Sequence, residues 1–187
     1  MGAMNTLVRK KLPFYLFAAV ITVATVFGLW YVYSIGGPAV IPRRSTTNEF
    51  GKMLGGVVFV TLAAMYGRTA LKWVILKSGW LDTPDMEELK TLSGQLLSIL
   101  NVTHPYVGLV AVSSTFLHCA FTNSLRDNVF LYAVLFFVFL SGLTGMLMKI
   151  SGMPPTFFKG NYFLHSRFIL GIVLVFLTFL GHVLVKF

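Results

Sequence analysis

Cysteine and acidic residues are the scarce side chains of this sequence. The single cysteine, Cys119, rules out an internal disulfide and leaves no cysteine cluster for iron–sulfur or structural zinc. Beside His118 in an apolar run, it reads as a small buried hydrophobe. Only six acids stand against fifteen Lys and Arg. Those six, Glu49, Asp82, Asp85, Glu87, Glu88 and Asp127, all fall in expected loops. No expected span therefore holds a carboxylate of the kind proton-coupled transporters use, which ranks transport last among the functions considered. P-loop and zinc-protease motifs are missing as well, and Ser166, next to His165, lacks an acid partner for nucleophilic chemistry.

What remains is largely apolar. With 56% hydrophobic residues, 11% charged and a mean hydropathy of +0.80, the chain is expected to be an all-α integral membrane protein, a single bundle over 1–187. Five transmembrane helices are expected, at about 13–35, 54–76, 104–123, 129–150 and 164–185, with an amphipathic surface segment at about 81–103 and a loop at 151–163. The first run exceeds twenty residues and ends in an aromatic belt, so it reads as a retained span rather than a cleaved signal peptide. Thr103 reads as the cap of the third span, with Pro105 in its first turn.

The basic excess sits at span ends and not in a stripe interleaved with exposed aromatics, so membrane lipid is the expected partner and nucleic acid is not. With the N-terminus inside, ten of the fifteen cations (Arg9, Lys10, Lys11, Arg68, Lys72, Lys77, Lys90, Lys149, Lys159 and Arg167) fall on the inner side, and the remaining five on the outer. This bias predicts an N-inside, C-outside topology in a bacterial or archaeal cytoplasmic membrane. Arg68 and Lys72, four apart on one helical face, either snorkel to headgroups or neutralise an acidic group of a cofactor at the same surface.

All four histidines fall into two pairs. His104 and His118 are fourteen residues apart, which on a helix is roughly 21 Å along the axis and within about 40° of one face. His165 and His182 are seventeen apart on the last expected span, with a phase difference of about 100°. The third and fifth spans run in the same direction, so His104 and His165 share the inner depth, and His118 and His182 the outer. One metal ion cannot bridge 20 Å, whereas one imidazole from each of two helices at each depth is the ligand set of a bis-histidine b-type haem. Two haem b groups are thus expected, with Gly108 and Gly171 leaving room for them and Arg167 near a propionate. A histidine within a membrane helix can equally be a bond between helices, and the alternative is a haem-free structural or assembly subunit.

The runs HPYVGLVAVSSTFLHCAFTN, FLSGLTGMLMKI and LHSRFILGIVLVFLTFLGH together resemble the di-haem cytochrome b membrane subunits of formate dehydrogenase, hydrogenase and nitrate reductase complexes. The resemblance spans roughly residues 100–187 and leaves the first two spans outside it. It implies two stacked b haems with His104, His118, His165 and His182 as axial ligands, a quinone as a further ligand, and electron exchange with a redox partner subunit. Whether the chain is an oxidoreductase by itself is left open by this likeness. Lys159, Asn161 and Tyr162 are the candidates for a quinone pocket on the inner side.

Overall fold

The computed structural model describes residues 2–77, 81–122, 128–149, 154–165 and 168–184, without the side chains of 2–10, 76–77, 158, 161, 163–165, 168–170 and 184. Every regular element among them is helical: α1 (Gly2–Ser34), α2 (Thr46–Lys77), α3 (Glu87–Thr122), α4 (Val129–Leu147), α5 (Pro155–His165) and α6 (Phe168–Leu184). Short 3-10 turns at Pro38–Val40 and Pro84–Met86 lead into α2 and α3.

Local chemistry explains where these helices begin and end. Helix α1 stops at Gly36 and Gly37, whose φ of 106° and 88° only glycine adopts without strain, and the Gly37 amide closes the turn on the Val32 carbonyl at 2.9 Å. Ser45 opens α2 by accepting from the Asn48 amide at 3.2 Å. Glu49, Glu87 and Glu88, expected in loops, instead occupy the first turns of α2 and α3, where the helix dipole favours a negative charge. Asn128 caps α4 through its side-chain oxygen, 3.2 Å from the Leu131 amide.

Among the described residues, four helices are long and apolar enough to cross a membrane: Lys11–Ser34, Thr46–Ile75, Pro84–Thr122 and Val129–Leu147. Large apolar side chains such as Val23, Phe27, Phe59, Phe136 and Phe179 face outward, a surface that lipid can cover and water cannot. Threonine hydroxyls along the helices bond back to the carbonyl four residues earlier, as in Thr61 to Val57, Thr115 to Ala111 and Thr178 to Leu174. Each polar group is thereby satisfied within its own helix, as an apolar surround requires.

The outline differs from expectation in three places. The surface segment at 81–103 and the third span are one 36-residue helix, α3, which runs through Pro105. Proline removes one amide donor, but a helix held by neighbours tolerates that loss, so the break expected at Thr103 does not occur. The expected loop at 151–163 is helical from Pro155 onward, proline being favoured at a first helical position. His165 consequently closes α5 instead of opening the last span, and α6 starts at Phe168 with 17 residues, fewer than the four longer helices have.

Helix α3 lies at the centre, packed against α1, α2 and α4, while α6 packs on α4 and touches α2. Helices α1 and α3 run in the same sense, since Tyr106 meets Phe14 and Phe17 while Leu117 lies over Gly28. Two small clusters of buried residues, around Val32, Ala120 and Phe121 and around Val134, Val138 and Leu174, tie α3 to α1 and α4 to α6.

Candidate functional site

The His118 side of α3 is built from small residues. Ala111, Ser114, Thr115 and Cys119 are buried, and the Thr115 hydroxyl is turned back onto the Ala111 carbonyl at 2.7 Å, leaving a methyl outward. Such a face lets a neighbouring backbone come close.

Helix α2 supplies that backbone. Gly51 and Gly55, four apart, present a bare strip to α3: a Cβ at Gly51 would meet the Phe121 and Thr122 side chains at 2.8 Å, and one at Gly55 would meet Cε1 of His118 at 2.9 Å. In this crevice Nδ1 of His118 lies 2.8 Å from the Gly51 carbonyl oxygen. A carbonyl can only accept, so Nδ1 carries the proton and Nε2 keeps its lone pair.

His182 is held in the same tautomer by other means. Its Nδ1 lies 2.8 Å from the carbonyl of Thr178, one turn earlier in α6, so Nδ1 is the donor here too. The ring is exposed on the outside of this chain, and α6 is fastened at that level by Asn128, whose Nδ2 donates to the Gly181 carbonyl at 2.8 Å. The two rings come together from α3 and α6, with centroids 6.3 Å apart and planes inclined by 13°. Among the described residues no hydrogen bond joins them. What the arrangement offers chemically is a pair of near-parallel imidazoles, each with Nδ1 engaged by a backbone carbonyl and Nε2 not used by that bond.

The other predicted residues are distributed differently. His104 lies on the same side of α3, its Nδ1 buried. The side chains of His165 and Asn161, and all of Arg167, lie outside the described residues. Arg68 donates from Nε to Oδ1 of Asn101 at 2.8 Å, binding α2 to α3 one turn before His104. Lys72 is exposed on α2, and Lys159 and Tyr162 are exposed on α5. Of the two glycines expected to leave space, Gly108 has nothing within 4 Å of where a Cβ would stand, whereas a Cβ at Gly171 would fall within the ring of Tyr66. Gly171 therefore serves contact between α6 and α2 and leaves no gap. No group of three or more His, Cys, Asp or Glu that could hold a metal ion occurs among the described residues.

Three contributors escaped the sequence reading. Gly51 and Gly55 had a visible signal, the G-x-x-x-G spacing at the start of the second span. Thr178 acts through its backbone, which no side-chain pattern reports. In comparisons with known proteins, no family model, no curated protein and no solved structure matches the chain.

Proposed function

We propose that the protein is a five-span di-haem cytochrome b that carries electrons across a membrane between a quinone and a redox partner protein. One observation carries this reading: His118 and His182 meet from separate helices, each with Nδ1 engaged by a backbone carbonyl. Axial histidines need that tautomer, with the far nitrogen bonded so that Nε2 is basic and aimed. The ring centroids are 6.3 Å apart with the rings stacked, and ligation of one iron by both would need the rings turned so that each Nε2 points at it.

His118 and His182 would hold one haem b, which supplies a one-electron iron couple when bound. The Gly51 and Thr178 carbonyls orient the two rings and retain their Nδ1 protons. His104 lies roughly 21 Å along α3, beside the open space at Gly108, and would hold the second haem with His165. Arg68 and Lys72 would serve as counter-charges for propionates, a role the sequence suggests for Arg167 as well, and Lys159, Asn161 and Tyr162 would be the polar groups for a quinone.

A second reading, a haem-free structural subunit, draws on the same His118–Gly51 bond, because it joins two helices without any cofactor. A dithionite-reduced minus oxidised spectrum with pyridine haemochrome quantification separates the two. About two b haems per chain, falling to about one in His182→Ala, is the expected result. A colourless protein purified from haem-replete cells removes the cytochrome reading and leaves the structural one.

A further inference from the structure

We propose that the end of α3 that projects from the membrane is a self-association seam, packing in parallel against α3 of a second copy of this chain. The projection follows from contacts at one end of the bundle. Lys11 of α1 donates from Nζ to the Lys149 carbonyl just beyond α4 at 3.1 Å, and α4 itself, 19 residues long, measures roughly 28 Å, about one hydrocarbon layer. Tyr106 packs against Phe14 and Phe17, with ring centroids 5.4 and 5.2 Å away, so α3 reaches the level of Lys11 one turn before Tyr106. The stretch 87–101 of α3 lies beyond that level, a length of roughly 22 Å.

Glu88, Gln95 and Ser98 flank this stretch, yet one stripe of it is apolar. Leu89, Leu92, Leu96 and Ile99 recur at spacings of three, four and three, the a and d positions of a heptad seam, and are 50%, 55%, 49% and 59% exposed. The seam continues toward the membrane through Thr103 to Tyr106, where the α1 aromatics cover it. Water is a poor neighbour for such a stripe, and at this height there is no hydrocarbon to replace it.

A second copy fits for reasons of geometry and charge. Two chains inserted in one membrane with the same topology present α3 in parallel and at equal height, which is the alignment that sets Leu89 against Leu89, Leu92 against Leu92 and so on. The eleven residues of seam from Leu89 to Ile99 are too short to hold free helices together in water, but membrane insertion has already supplied alignment and local concentration. In a parallel pair Glu88 would face Ser93 of the other copy and Gln95 would face Leu100, so no like charges meet across the seam. Asp82 is drawn back by its own Lys90, with an Nζ–Oδ1 distance of 2.9 Å.

The test is disulfide scanning of the full-length protein in native membranes, in a Cys119→Ser background. Leu92→Cys, Leu96→Cys and Ile99→Cys are expected to give cross-linked homodimer at about fivefold or more the yield of Thr91→Cys, Gly94→Cys and Ser98→Cys. The same protein in lipid nanodiscs should sediment as a dimer, and Leu92→Glu combined with Leu96→Glu should sediment as a monomer. Flat cross-linking along the helix, an unaltered monomer, cross-links to a different protein only, or quenching of a label at position 96 by lipid-borne quenchers would each overturn the proposal. None of these readouts depends on haem, so failure here and failure of the cytochrome reading remain distinguishable.

Discussion

His118 and Gly51 are joined across two helices by a single contact, Nδ1 to carbonyl oxygen at 2.8 Å, and the contact exists because α2 is bare there. Gly55, one turn further along, admits the ring, and any side chain in its place would begin 2.9 Å from Cε1. One strip of glycines thus sets both the distance between α2 and α3 and the tautomer of a histidine. Helix α2, which lay outside the resemblance, becomes part of the setting of the candidate site.

Enlarging Gly55 tests that setting. In Gly55→Ala the ring has to give way, so if His118 holds a haem as proposed, that haem should persist with altered EPR g-values. Gly55→Leu cannot be accommodated that way; it should lose about one haem per chain and about 1–3 kcal/mol of stability through overpacking. Spectra and unfolding in mixed micelles give the two numbers. A Leu variant retaining both haems would show that the ring does not need this position.

The two histidines should differ in what their loss does to the fold. His118→Ala removes a bond between helices and leaves the Gly51 carbonyl only the amide of its own helix, whereas the His182 ring bonds only within its own helix. Both variants should lose the same haem. His118→Ala should be the less stable of the two by about 0.5–1.5 kcal/mol in the apoprotein. Equal stabilities would mean the α2–α3 bond is not formed in the membrane.

How far the sequence spoke depended on how local the deciding force was. Hydropathy alone delimits α4 and the end of α1, because an apolar run that stops at Ile35, or one bounded by Asn128 and Lys149, has few alternatives, whereas α1 begins at Gly2, ahead of its apolar run. The common depth of His118 and His182 could also be read, since it needs only span directions and a rise per residue. The run through Pro105 could not, because whether a proline ends a helix is decided by the helices packed beside it. Gly171 read as space and turned out to be contact, since only the neighbour, Tyr66, distinguishes a glycine that leaves a gap from one that is filled.

Arg68 sits at the other end of α3 from the His118–His182 pair, and its guanidinium is committed through Nε to Asn101. Lysine keeps the charge but lacks the planar fork that presents Nε beside the amide oxygen. Arg68→Lys should therefore perturb the redox component assigned to His104 and leave that of His118 and His182 unchanged, as followed by potentiometric titration of the optical bands. A shift in both components, or only in the second, would place Arg68 outside the His104 environment.

Asn128 ties the top of α4 to the top of α6 with both ends of one side chain: Oδ1 accepts from the Leu131 amide at 3.2 Å and Nδ2 donates to the Gly181 carbonyl at 2.8 Å. Asn128→Asp separates the two roles, since a carboxylate still caps α4 but has no hydrogen to give. Worse, an ionised oxygen would then face the Gly181 carbonyl, one residue before His182. If His182 holds a haem as proposed, the expected result is a helical content equal to wild type with weakened retention of that haem, seen as haem loss during detergent exchange. Asn128→Ala loses both roles and should cost about 1–2 kcal/mol more from the missing cap and bond together. If Asn128→Asp retains its haem as the wild type does, the α4–α6 bond is not what positions His182, and the burden falls on the Thr178 carbonyl alone.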